Sequence, residues 1–127
     1  MNRHTSRSQA IQLLYNVEFT QVSIIDAENA IENISDDAKL FAEGVLNNLN
    51  EIDQIISNSL QNYTLNRLNA VDRAIIRLAT YELIKKEPKA IVINEALELT
   101  KEFSDTGDRK AVKFNNRLLD TIASKIK

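Results

Sequence analysis

Residues 69–101 read NAVDRAIIRLATYELIKKEPKAIVINEALELTK, and the rest of the chain is organised around them. Val71, Ile75, Leu78, Ala79 and Leu83 recur at spacings of three and four, one face of a helix. Ala74 and Ile76 widen that face, so the helix is expected to be buried on more than one side. Asn69, with Asp72 three residues on, reads as an N-cap followed by an acid in the first turn. Pro88, the sole proline, cannot continue the helix and turns Glu87 away from helical angles. A second helix is expected from about Ile91 to Phe103, with Ala96, Leu99 and Phe103 inward. Two helices joined this closely pack antiparallel, giving a helical hairpin at the centre of the core.

Outward from the hairpin, the N-terminal side reads as three more helices. The first spans about Thr5–Phe19, capped by Thr5 or Ser6, with Ala10, Leu13, Leu14 and Val17 inward. Ser23 starts a second, with Ala27, Ala30, Ile31 and Ile34 inward. Ser35 starts a third with Asp36 and Asp37 in its first turn. Its stripe runs through Ala38, Phe41, Val45, Leu49, Ile52, Ile56 and Leu60, about 25 residues. Gly44 inside it costs about 1 kcal/mol against alanine, and a close helix crossing is one reason to keep it. A break follows at Asn58–Thr64. On the C-terminal side, Gly107 marks a turn, and Asp108 is expected to cap a last helix of about 109–126 with Val112, Leu118, Leu119, Ile122 and Ile126 inward. The expected fold is all-α: a single domain of about six to seven helices in two packed halves, 1–62 and 65–127, with no sheet.

With 127 residues, no cysteine, two glycines and one proline, the chain excludes disulfide frameworks and turn-rich β folds. No apolar run reaches the length of a membrane span and no signal-peptide region opens the chain, so a cytoplasmic protein is expected. The net charge of −2 is unevenly spread. Residues 1–17 hold Arg3 and Arg7 and no acid. Residues 18–66 hold nine acids against Lys39, and residues 108–127 hold six bases against two acids. Two basic ends around an acidic middle suit an anionic partner or a solvated charged surface.

No catalytic constellation emerges. The sole histidine, His4, falls at the N-terminus, where mobility is expected, so no histidine triad or metal cage is foreseen inside the fold. There is no phosphate-binding glycine loop, and no cofactor is expected. A binding role fits better than an enzyme. Arg3, His4 and Arg7, at or before the first helical turn, reinforce its free N–H groups as an anion site, unless this terminus is frayed. At the other end, Lys113 and Arg117 could hold phosphates, Phe114 could stack on a base, and Asn116 could read a base edge. Phe114 can equally be a core residue, and Asn116 a solvated one.

DRAIIRLATYEL (72–83), VINEALELTKEF (92–103), KFNNRLLD (113–120) and the opening RSQAIQLLYNVEF (7–19) together resemble the transcription antitermination family NusB, in the family's order and over nearly the whole chain. The resemblance implies an RNA-binding factor that recognises the boxA element of nascent ribosomal RNA with NusE, a small ribosomal subunit protein. It further implies participation in an RNA polymerase antitermination complex and a possible homodimer. Tyr15, Glu18, Asp72 and Glu82 match family positions and are candidates for the protein partner, although Glu82 can equally pair internally, with a backbone amide or an arginine such as Arg77. Three departures stand out: a longer 104–112 connection, Arg117 where the family has glycine, and Asn115 where it has valine. A protein-binding adaptor without RNA specificity is the alternative. A third reading is a stand-alone relative of the NusB-like domain attached to some ribosomal RNA methyltransferases. These residues carry no cofactor-binding segment, so no methyl transfer is expected.

Overall fold

The computed structural model describes residues 2–104, 107 and 109–126. Seven α-helices follow one another among them: α1 Arg3–Thr20, α2 Ile24–Ala30, α3 Asp36–Asn47, α4 Leu49–Ser59, α5 Ala70–Ile84, α6 Lys89–Phe103 and α7 Lys110–Lys125, with a 3-10 turn at Leu65–Arg67. No strand occurs among the described residues, and none of the helices is long and apolar enough to cross a membrane.

Local chemistry sets most boundaries. The side chains of Ser23, Ser35 and Asn69 accept hydrogen bonds from the N–H groups of Asp26, Ala38 and Asp72, as expected of caps. The first helix starts earlier than its sequence suggests, because Asn2, not Thr5 or Ser6, accepts from Thr5 N–H at 2.8 Å. Pro88 sits at the N-cap of α6, so that helix begins at Lys89, two residues before Ile91. Gly107 has the expected positive φ, +97°. Asp108, read as the cap of α7, lies outside the described residues; the N-cap is Arg109, in left-handed geometry.

The long third helix is in fact two. At Asn48 the backbone leaves helical angles (φ −121°, ψ 23°). Its side-chain amide donates to Gly44 carbonyl at 2.7 Å, offering the backbone a substitute for the next helical turn. Gly44 does mark a close approach. A Cβ there would overlap Cζ and Oη of Tyr81 on α5.

Helix α5 is the axis of the fold and packs against α1, α3, α4, α6 and α7. Nine of its fifteen residues are buried, including Asp72, Thr80 and Glu82. Leu78 is 1% exposed. One apolar cluster joins Leu13 of α1, Val45 of α3, Ile52 and Ile56 of α4, Leu78 of α5, Leu99 of α6 and Leu119 of α7. Phe103 departs from expectation. It is 45% exposed, turned outward at the last residue of α6.

Candidate nucleic-acid and partner interface

Fold geometry changes the character of the N-terminal basic group. Arg7 is only 3% exposed, and its guanidinium grips Glu82 of α5 through two parallel hydrogen bonds, Nε to Oε2 at 2.9 Å and Nη2 to Oε1 at 2.6 Å. That carboxylate raises the Arg7 pKa further. Glu82 thus takes its internal reading with Arg7 and not Arg77, which instead grips Asp53 at 2.8 and 2.9 Å. Arg3 is more open. Its side chain stands 3.9 Å from Glu82, 4.0 Å from Glu87 and over the Phe41 ring at 5.7 Å. His4 lies in the first turn of α1, with Nδ1 3.0 Å from Glu95 and Nε2 3.1 Å from Glu102. The hydrogen bond to Glu95, then that to Glu102, raises its pKa against a smaller effect of burial. A segment with no acid of its own is therefore surrounded by four carboxylates drawn from α5, α6 and their connection.

The C-terminal group is placed differently. Lys113, Phe114, Asn116 and Arg117 are all exposed along α7. The Phe114 ring is 38% exposed and meets Tyr63 at 5.5 Å, tilted by 55°. The Arg67 guanidinium lies 5.0 Å over the Tyr63 ring. Between the end of α4 and α7 opens a cavity of about 380 Å³, lined by Leu60, Gln61, Asn62, Phe114 and Arg117 among others. Tyr63 and Arg67 escaped the sequence reading, which took 58–64 as a break. A usable signal was there, since residues 54–71 contain no acid.

Asn115, between these exposed residues, is completely buried and donates to Asp72 Oδ1 at 3.2 Å and Thr100 Oγ1 at 3.1 Å. Its Oδ1 has no partner. This tie sets the rotation of α7 and turns Phe114 and Asn116 outward. It also places the α7 group at the Asp72 end of α5, while Arg3 and Arg7 sit at the Glu82 end. Ten helical residues separate the two, about 15 Å along the axis.

Of the four partner candidates, Asp72 (8% exposed) and Glu82 (3%) face inward. Asp72 is also held by Asn69 Nδ2 at 2.9 Å. Glu18 accepts from Arg73 Nε at 2.9 Å and Arg77 Nη1 at 2.5 Å. The Arg73 bond, with help from Arg77 and against burial, lowers its pKa. Tyr15 is half-buried, stacks on Phe19 at 5.2 Å, and lines a groove of about 280 Å³ with Ile11, Gln12, Val71 and Phe103. No group of three or more His, Cys, Asp or Glu side chains able to hold a metal occurs among the described residues.

A model of the NusB family matches residues 4–124. The chain is 39% identical to the transcription antitermination protein NusB of Bacillus subtilis (strain 168), over 99% of this chain and 98% of that one. It superposes on T. maritima NusB with a TM-score of 0.87 at 32% identity, covering 99% of this chain and 93% of that one. A structure of antitermination factors NusB and NusE in complex with dsRNA matches at a TM-score of 0.78 and 28% identity, over 98% of each chain. With its helices in the same arrangement and its relatives matched from end to end, the chain belongs to the NusB family.

Proposed function

We propose that this protein is an RNA-binding transcription antitermination factor. It binds a boxA-type single strand together with NusE, and acts in the cytoplasm by helping RNA polymerase read through terminators in ribosomal RNA operons. It works by assembly and not by catalysis. The observation that carries the reading is the exposed face of α7, where Lys113, Phe114, Asn116 and Arg117 stand side by side. Cations for phosphates, an aromatic for stacking and an amide for a base edge are the groups a single strand requires. A relative solved with both NusE and dsRNA supports RNA binding in company with NusE.

Within this reading the roles divide by burial. Lys113, Arg117 and Arg3 contact phosphates, and His4 lies at the margin of the strand. Arg7, Glu82 and Asp72 position the helices from inside. Tyr15 and its groove receive NusE, and Glu18, three residues along α1 and held by two arginines, extends that surface. A few exposed cations give weak binding alone, with a dissociation constant of about 10⁻⁴–10⁻⁶ M at physiological salt. NusE completes the site. Fluorescence anisotropy with a labelled boxA-like RNA, with and without NusE, tests this. Affinity should rise with NusE. Binding to NusE with no RNA affinity in either form would favour the adaptor reading, and a change in sedimentation of the lone protein would reveal the homodimer.

A further inference from the structure

In the first turn of α5 three consecutive residues reach three different places. Val71 lines the Tyr15 groove. Asp72 turns inward and accepts from Asn115 Nδ2 of α7 at 3.2 Å. Arg73 reaches back to Glu18 of α1 at 2.9 Å and donates to the Leu68 carbonyl at 2.5 Å. Helix α6 repeats the pattern. Phe103 lines the same groove, and Thr100, one turn earlier, accepts from Asn115 Nδ2 at 3.1 Å. The two residues that hold Asn115 are therefore beside, or one turn from, two walls of the groove.

Asn115 itself is fully buried, while its neighbours along α7, Phe114 and Asn116, belong to the exposed face. Its amide nitrogen serves both acceptors and its Oδ1 has no partner. The acceptors are fixed in turn. Asp72 Oδ2 is held by Asn69 Nδ2 at 2.9 Å, and the Thr100 hydroxyl donates to the Ala96 carbonyl at 2.8 Å. A buried amide already one partner short has no slack. A change in the spacing of α5 and α6 either breaks one of its bonds, leaving a second buried group unmet, or carries α7 along. Moving α7 as a unit preserves both bonds.

We infer that Asn115 couples the Tyr15 groove to the α7 face. A partner seated between Val71 and Phe103 sets the spacing of α5 and α6, and the link from Asp72 and Thr100 through Asn115 passes that setting to Phe114 and Asn116. Asn115 is a positioning residue and touches neither ligand. The inference rests on the proposed binding of NusE and RNA, and adds a route by which each strengthens the other. Linkage makes the effect reciprocal: whatever factor NusE adds to RNA affinity, RNA adds to NusE affinity.

The test is a binding cycle on the full-length protein. Affinity for a labelled boxA-like single strand is measured with and without saturating NusE, and affinity for NusE with and without that RNA. The proteins are wild type, Asn115→Val, Thr100→Val and Thr100→Ser, each checked for folding by its melting curve. Val112, Leu118 and Leu119 still seat α7 in the variants. The two valine variants should therefore bind each ligand alone within about two-fold of wild type, yet lose about five-fold or more of the mutual enhancement. The loss should be the same in both directions of the cycle. What remains is the part NusE supplies through its own RNA contacts. Thr100→Ser keeps the hydroxyl and should keep the full enhancement. Wild-type enhancement that persists in both valine variants, with only their melting temperatures lowered, would make Asn115 merely structural and overturn the coupling while RNA and NusE binding stand. Equal loss in Thr100→Ser and Thr100→Val would overturn it as well, since the hydroxyl would then not be the link. No binding of RNA or of NusE by wild type would overturn the underlying reading together with the coupling.

Discussion

Arg7→Ala should act on the fold and not on a phosphate. The native guanidinium and the Glu82 carboxylate are each 3% exposed and share two hydrogen bonds of 2.9 and 2.6 Å. Two unit charges about 4 Å apart attract by about 4 kcal/mol at the effective dielectric constant that describes such sites. Breaking a buried pair from one side typically costs about 3–5 kcal/mol, mostly because the surviving charge is left in a poor solvent. Here Arg3, already 3.9 Å from Glu82 and half exposed, can swing in and recover part of that. We therefore expect about 3 kcal/mol by urea denaturation, and a melting temperature lower by on the order of 10 °C. Glu82→Gln should cost at least as much, since no second acid lies as close to Arg7. The pair Arg7→Met with Glu82→Leu should recover most of the loss, because apolar residues of similar volume need no counter-charge. In RNA titrations on folded protein, Arg7→Ala should leave the salt slope unchanged. A variant that melts like wild type while the slope flattens by about 0.7 would refute the reasoning and put Arg7 on a phosphate.

Leu78→Ala, at a site 1% exposed in the middle of α5, should cost about 2–5 kcal/mol by urea denaturation; a loss near zero would misplace the α5 face. The contribution of His4 should depend on pH. Its folded-state pKa lies above the ordinary 6.5, so the stability it adds is complete below pH 6.5 and is lost as pH rises through the raised value. The melting-temperature gap between wild type and His4→Gln should thus be widest below pH 6.5 and close above it; a gap that widens with pH would deny the clamp. Asn115→Val should cost about 1–3 kcal/mol, because it leaves the buried Asp72 Oδ1 without its Asn115 donor, a loss only partly offset by removing an unpaired buried oxygen. Asn115→Asp should cost about 3 kcal/mol or more by placing a second buried carboxylate against Asp72.

Helices were legible where periodicity and caps agreed. Asn69, Ser23 and Ser35 each announce a first turn in the sequence, and each accepts the expected hydrogen bond. The split at Asn48 was hidden because Val45, Leu49 and Ile52 keep helical phase across it, so the apolar stripe carries no trace of the break. The candidate site was less legible. Arg3 and Arg7 look alike in the sequence, yet one is open and the other is sealed under Glu82. Only a contact across the fold separates them. Charge summed along the chain failed at the N-terminus for the same reason: the compensating acids Glu82, Glu87, Glu95 and Glu102 are supplied by distant residues. At α7 local charge was a better guide, because the neighbouring loop carries no acid. Asn115 was visible only as a departure from the family pattern. That its polarity is used to tie α7 to Asp72 required the structure.

The pairing of α1 with the second half of the chain bears on how the protein is made. Arg7 and Glu82 are 75 residues apart, and His4 and Glu102 are 98 apart. A ribosome releases α1 well before any of these partners, so the nascent helix holds a future buried cation with nothing to neutralise it. Helix α1 can begin to pack on α2 and α3 as soon as they emerge, but its seat is complete only once α5 has followed. Closing contacts of such separation is slow compared with helix formation, and its entropy must be met before the contacts repay it. Closure of α1 onto α5 and α6 is thus expected to come late in folding. Until it happens the Tyr15 groove, built from α1, α5 and α6, does not exist, so a chain still on the ribosome lacks the surface proposed for NusE.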